Sequence, residues 1–136
     1  MAPILHLQKI CKRFGQTVIA ENISLQIDKG EFFTFLGPSG SGKSTILRMV
    51  AGLEKPDGGR IILEGIDVAQ TPPWNRNLGM VFQQYAIFPH MTVAQNVAYG
   101  LKTRKTKGHQ LDSKITEMLK LVSLNKMENK NKHFII

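Results

Sequence analysis

Cysteine is nearly absent from this chain. Cys11 stands alone among 136 residues, which excludes an internal disulfide framework, and no ligand cluster surrounds it. The expected role is a small residue near a strand end in a reducing cytoplasm. Long apolar runs are missing too. None approaches the roughly 18 residues that a helical membrane span requires. The first residues, Met1 to His6, lack the basic-then-apolar pattern of a secretory signal. Aromatics make up only 7% of the chain, although 42% is hydrophobic. These values fit a globular chain with room for one domain and its core, and too short for two ordinary ones.

Acidic residues are scarce as well, with 10 Asp and Glu against 18 Lys and Arg, a formal charge of +8. The imbalance is uneven. Residues 1–100 hold nine basic against seven acidic side chains, whereas residues 101–136 hold nine against three. No aromatic is interleaved with these late lysines before Phe134 to stack on bases. The pattern reads as a solvated basic face rather than a groove for nucleic acid.

What is present is a phosphate-binding loop. Gly37-Pro38-Ser39-Gly40-Ser41-Gly42-Lys43-Ser44-Thr45 matches G-x-x-x-x-G-K-[ST] at Gly37, Gly42, Lys43 and Ser44. Glycines allow successive backbone N–H groups to turn inward toward an anion, and a helix starting near Lys43 adds its positive end. Lys43 is then placed for the β- and γ-phosphates of a nucleoside triphosphate and Ser44 for Mg²⁺. The competing reading is a glycine-rich turn without a ligand.

The flanking pattern supplies the loop's context. Ile4 to Ile10 and Ile23 to Ile27 alternate like sheet, and Glu31 to Leu36 reads as a buried strand entering the loop. Ile46 to Ala51 reads as the helix leaving it, with Gly52 as its stop. After the turn residues Lys55 to Gly59, a strand is expected over Arg60–Gly65. A short strand buried on both faces is expected over Leu78–Phe82. Thr92 and Gln95 predict a capping box opening a helix that runs to about Leu101. Arg104 to Gln110 reads as a loop. Leu111, Ile115, Met118, Leu119 and Val122 then form the core stripe of a second helix.

Taken with the loop, the spacing of Phe14, Gly52-Leu53 and Gln83, and the run from Gly79 to Val93, resembles the ATPase domain of ATP-binding-cassette (ABC) transporters. The likeness is to ATPases of importers for sugars, polyamines, ferric iron and sulfate-like anions, and covers Ile4 to about Leu124. The Pro89–Val93 run is most similar to the polyamine and ferric-iron branch. The resemblance implies an α/β P-loop NTPase fold of the ABC type, with an N-terminal antiparallel β-subdomain and the start of a parallel-sheet core, truncated. It implies ATP and Mg²⁺ as ligands. Phe14 matches the adenine-stacking aromatic, usually Tyr in the family, and Thr45 is placed for the α-phosphate. Gln83 matches the glutamine that touches Mg²⁺ or the attacking water. Tyr85, Ile87, Phe88 and Met91 lie where family members receive a helix from the membrane permease subunits.

The same resemblance implies a dimer with a second ATPase subunit, a periplasmic or extracellular solute-binding protein as an indirect partner, and a peripheral place on the cytoplasmic face of the membrane. Family ATPases also use an apolar strand ending in Asp-Glu, a switch histidine and an LSGGQ-like signature. None of these occurs in this chain, so binding without efficient hydrolysis is expected. Residues 125–136 read as an atypical Lys/Asn-rich tail, with an interrupted gene favoured over a simple fragment. An inactive product, a small P-loop kinase or GTPase, and a soluble P-loop NTPase acting on nucleic acid stay open as alternatives.

Overall fold

A computed structural model describes residues 3–84 and 86–130. The chain divides into two compact units, one of residues up to Met80 and one from Val81 onward. In the first, β1 (Leu5–Phe14) and β2 (Thr17–Ile27) form a long antiparallel hairpin closed by Gly15-Gln16. β3 (Gly58–Leu63) pairs with the other side of β1, and β4 (Ile66–Asp67) pairs with β3. The sheet is therefore antiparallel throughout, in the order β2-β1-β3-β4.

Side chains on a strand alternate between faces, but β1 changes phase partway along. Leu5 and Leu7 are buried, Lys9 is exposed with φ 49°, and Ile10 and Lys12 are buried in turn. The pairing with both neighbours slips at the same place, between Leu7 and Ile10 on one side and between Gln8 and Cys11 on the other. This irregularity behaves as a β-bulge, which re-aims the residues beyond it. The core joins Leu5, Leu7 and Ile10 to Ile61 and Leu63 of β3 and to Ile46 and Met49 of α1 (Lys43–Ala51).

Two expected strands do not form. Glu31–Leu36 and Leu78–Phe82 are irregular, and most of their residues are exposed; Phe32 is 95% and Val81 98% accessible. A strand requires a neighbour to accept and donate its backbone hydrogen bonds, and none lies beside either segment among the described residues. The apolar pattern records a tendency to be buried, not the presence of a partner.

The second unit is helical. α2 (Val93–Thr103) opens with the expected capping box: Gln95 N–H donates to Thr92 Oγ1 at 3.3 Å, and Thr92 N–H to Gln95 Oε1 at 2.8 Å. α3 (Gly108–Leu121) begins earlier than expected, so His109 and Gln110 are helical and the connecting loop is shorter. Of its predicted core stripe, Leu119 is buried and Leu111 and Ile115 partly so, whereas Met118 and Val122 are exposed. Two helices offer one mutual seam, too narrow to cover a five-residue stripe. Residues 125–130 return to the start of α2, where the carbonyls of Lys130 and Glu128 accept from Val93 and Ala94 N–H at 2.9 and 3.0 Å. Donors that a helix N-terminus leaves unpaired are thereby satisfied. Among the described residues no helix is long and apolar enough to cross a membrane.

Candidate functional site

The loop from Gly37 to Gly42 is solvent-exposed for most of its length and delivers the chain into α1. Gly42 caps the helix with φ 80° and ψ 6°, a left-handed conformation that disfavours a side chain. A Cβ there would also stand 2.8 Å from the Ile19 carbonyl oxygen. Glycine is thus required both by the turn and by the close passage of β2. The Gly42 carbonyl accepts the first helical bond, from Ile46 N–H at 3.0 Å.

Lys43 is the first residue of α1, and its ammonium group folds back over the loop. It donates to the carbonyls of Gly37 at 2.9 Å and Pro38 at 2.7 Å, and to Ser41 Oγ at 3.1 Å. The first turn of α1 holds no acidic residue, so the helix places no carboxylate of its own at its positive end. A cation, a helix N-terminus and a glycine-rich backbone meet at one exposed loop, the combination that binds phosphate groups. Ser39, Gly40 and Ser44 are exposed and Thr45 is partly buried. The Ser44 hydroxyl, on the second residue of the helix, is a hard oxygen donor of the kind Mg²⁺ accepts. It fits an ion brought in with phosphate oxygens.

The opposite end of α1 is held by a residue whose structural part local sequence patterning does not signal. Arg76 is buried, and its guanidinium donates to Met49 and Val50 carbonyls at 2.7 and 2.9 Å and to the Thr71 carbonyl at 2.8 Å. A cation on the last carbonyls complements the negative end of the helix. Gly52 makes room for it, because a Cβ at Gly52 would sit 2.6 Å from Arg76 Nε. Burial lowers the Arg76 pKa, yet a guanidinium remains charged at neutral pH.

Phe14 ends β1 with its ring half-exposed, as a ring offered to a ligand must be. Beneath it the Lys12 ammonium lies 5.0 Å from the ring centroid. Lys12 also meets Glu54 Oε1 at 2.7 Å, Asp57 Oδ1 at 3.3 Å and the Lys55 carbonyl at 2.8 Å. The hydrogen bond with Glu54 raises the lysine pKa against the opposing effect of burial, and Asp57 adds to the rise. Asp57 itself is held below the usual carboxylate range, chiefly by the Arg13 N–H donating to it at 2.7 Å.

The first unit thus contains Phe14 and the whole Gly37–Thr45 loop, while Gln83 belongs to the second unit, where it is exposed. Tyr85 lies outside the described residues. Of the remaining apolar residues, Ile87 is exposed, while Phe88 and Met91 are half-buried. Phe88 packs on Tyr99 with ring centroids 4.5 Å apart. Asn96 holds this turn from α2. Its Oδ1 accepts from Phe88 N–H at 2.8 Å, and its Nδ2 donates to the carbonyls of Phe88, Met91 and Thr92 at 3.2, 3.2 and 2.9 Å. An Asn four residues beyond the cap carries no recognisable signal in the sequence.

Fold and loop together define the chain as an α/β P-loop protein. Its antiparallel β-subdomain and P-loop helix match those of solved ATP-binding cassettes. One such cassette, described as dimeric, in a post-hydrolysis state and bound to ADP and Pi, superposes with a TM-score of 0.83 at 29% identity, over 97% of this chain and 63% of that one. A second, an ATP-binding cassette of an ABC transporter, gives 0.81 over 100% of this chain and 60% of its own length, at 24% identity, and speaks to the fold alone. The ABC transporter family profile matches residues 20–134. The chain belongs to the ABC transporter family.

Among curated relatives, it is 47% identical over 130 residues to the spermidine/putrescine import ATP-binding protein PotA of Nitrosomonas eutropha, covering 96% of this chain. It is 44% identical over 133 residues to the putrescine transport ATP-binding protein PotG of Escherichia coli, covering 98%. To the Fe(3+) ions import ATP-binding protein FbpC of Vibrio cholerae it is 50% identical over 121 residues, covering 89%. The matches take in 36%, 35% and 34% of those proteins, so the chain spans about a third of the length of the curated relatives it matches.

Proposed function

We propose that this chain is the nucleotide-binding portion of an ABC importer ATPase and holds the base and triphosphate of ATP between Phe14 and the Gly37–Thr45 loop. The observation that carries the reading is the Lys43 ammonium, held over the loop by the Gly37 and Pro38 carbonyls at the positive end of α1. A triphosphate entering the loop exchanges those neutral acceptors for charged oxygens, which bind a cation more strongly. Loop N–H groups from Gly37, Pro38's successors Ser39 and Gly40, Ser41 and Gly42 would surround the β-phosphate. Thr45 would reach the α-phosphate, and the Phe14 face would take the adenine.

Ser44 would hold Mg²⁺ together with the phosphates, and Gln83 would contribute to the ion or to water beside it. The ion, when bound, neutralises charge on the phosphate oxygens. Because no apolar run in these residues ends in Asp-Glu, binding rather than hydrolysis is the activity proposed for the chain by itself. In the importer, Tyr85 to Met91 would meet the permease subunits on the cytoplasmic face of the membrane. A second ATPase subunit would complete a dimer, with a solute-binding protein acting from the far side. The relatives' names favour polyamines or ferric iron as the transported solute. Residues 4–124 would form the partial ATPase domain and 125–136 its tail.

Titration with a fluorescent ATP analogue in the presence of Mg²⁺ tests the reading. Saturable binding is expected, weakened at least tenfold in Lys43→Ala. Equal binding by the two proteins, or none by either, overturns it.

A further inference from the structure

Phe14 is an unusual platform for a ligand, because one of its faces is already engaged from below. Lys12 and Phe14 are two apart on β1 and beyond the bulge at Lys9, so both project from the face that carries Ile10. A lysine two residues from the end of a strand is ordinarily solvated. Lys12 is instead only 7% exposed, and its ammonium is fixed on four sides. Glu54 lies at 2.7 Å, the Lys55 carbonyl at 2.8 Å, Asp57 Oδ1 at 3.3 Å, and the Phe14 ring centroid at 5.0 Å.

Those anchors are not independent of the phosphate loop. Glu54 lies just past the Gly52 cap of α1, and its N–H donates to the Arg48 carbonyl within that helix at 3.3 Å. Leu53 N–H donates to the same carbonyl at 2.9 Å. Asp57 is stitched to β1, giving its N–H to the Cys11 carbonyl at 2.9 Å and receiving Arg13 N–H at 2.7 Å. A path from Phe14 to α1 therefore runs through two side chains and one backbone bond: ring, Lys12 ammonium, Glu54 carboxylate, then Glu54 N–H to the Arg48 carbonyl. α1 is the helix whose other end carries Lys43.

We propose that Lys12 is a positioning residue for the nucleotide base. It fixes the Phe14 ring at a set height and tilt relative to the P-loop helix, so that base and triphosphate are received at a matched spacing. An ammonium on one face of an aromatic ring also draws electron density toward itself, leaving the opposite face better suited to an electron-rich purine. Lys12 touches neither base nor phosphate in this scheme; it acts through Phe14. The inference rests on the proposal that Phe14 receives the base.

Displacement of a fluorescent ATP analogue from the full chain, by ATP and separately by inorganic tripolyphosphate, separates the two subsites. For Lys12→Met, ATP affinity is expected to fall about three- to thirtyfold, with tripolyphosphate affinity unchanged within about twofold. Lys12→Arg should recover most of the loss, and Glu54→Gln, which weakens the anchor without touching Lys12, should show a smaller loss of the same kind. Equal loss for both ligands in Lys12→Met and Glu54→Gln makes the cluster a general stabiliser and overturns the inference. So does unchanged ATP affinity in Lys12→Met while Phe14→Ala lowers ATP affinity alone; the base-stacking proposal then survives. If Phe14→Ala leaves the ratio of ATP to tripolyphosphate affinity unchanged, the base-stacking proposal fails, and this inference with it.

Discussion

The Arg76 guanidinium donates to the Met49 carbonyl at 2.7 Å, joining two residues 27 positions apart across the end of the P-loop helix. The same group reaches the carbonyls of Val50 and Thr71. In Arg76→Ala these acceptors lose a charged donor, and a cavity opens against Gly52. A destabilisation of about 2–4 kcal/mol is expected, from lost charged hydrogen bonds and unsatisfied carbonyls. Arg76→Lys should fall between the two, since an ammonium cannot reproduce the planar fork. Urea unfolding followed by circular dichroism measures the difference. A loss below about 0.5 kcal/mol, the range of an ordinary surface change, would contradict the capping role.

Local chemistry of this kind was legible in the sequence only where partners are close along the chain. The P-loop and its helix, the Gly52 stop, and the reciprocal Thr92–Gln95 cap are all written within a few residues. Lys12 and Arg76 look like ordinary surface cations, because Asp57 lies 45 residues from Lys12 and the α1 carbonyl of Met49 lies 27 residues from Arg76. The bulge at Lys9 hides Lys12 further, since strict alternation from Leu5 and Leu7 would place positions 9 and 11, not 12, on the buried face. Glu31–Leu36 fails for a different reason. Its composition is that of a buried strand, but strand formation depends on a neighbour that local composition cannot report.

The exposed apolar segment entering the loop has a consequence for solution behaviour. Phe32 and Leu36 are 95% and 91% accessible, on a backbone with no ladder partner among the described residues. Such a segment invites edge-to-edge pairing between copies. Sedimentation velocity should show association that grows with concentration and recedes in Phe32→Glu. A monomer at all concentrations up to about 100 µM, well within the range where such segments self-associate, would count against it.

The pairing of Lys12 with Asp57 predicts a pH dependence of stability with a defined sign at each end. Asp57 has its pKa lowered, chiefly by the Arg13 N–H. Its contribution is therefore present above the unfolded value of about 3.9 and is lost as pH falls through its lower folded value. Lys12 has its pKa raised, chiefly by Glu54. Its contribution is present below about 10.4 and is lost as pH rises through its higher folded value. The thermal midpoint should therefore carry both contributions across the neutral range. Asp57→Asn should lower the midpoint at pH 7, and the gap from the parent should close as pH falls through the folded pKa of Asp57. A gap that stays constant into acid would show that the carboxylate charge is not what ties Asp57 to β1.

Asn96 makes a prediction about the second unit. One side chain satisfies the Phe88 N–H and three carbonyls between Phe88 and Thr92, adding four bonds to the single backbone bond from Met91 N–H to the Phe88 carbonyl that closes the turn. An aspartate retains the acceptor for Phe88 N–H but has no N–H to give, and its charge faces three carbonyl oxygens. Asn96→Asp is therefore expected to be at least as disruptive as Asn96→Ala, each costing about 1–3 kcal/mol locally. Hydrogen exchange resolves this. The Phe88 amide should exchange faster in both variants, while the Gln95 amide, tied to Thr92 Oγ1 by the capping box, should change less. If the Phe88 amide keeps its protection in Asn96→Asp, the acceptor alone holds the turn, and the three donated bonds contribute little.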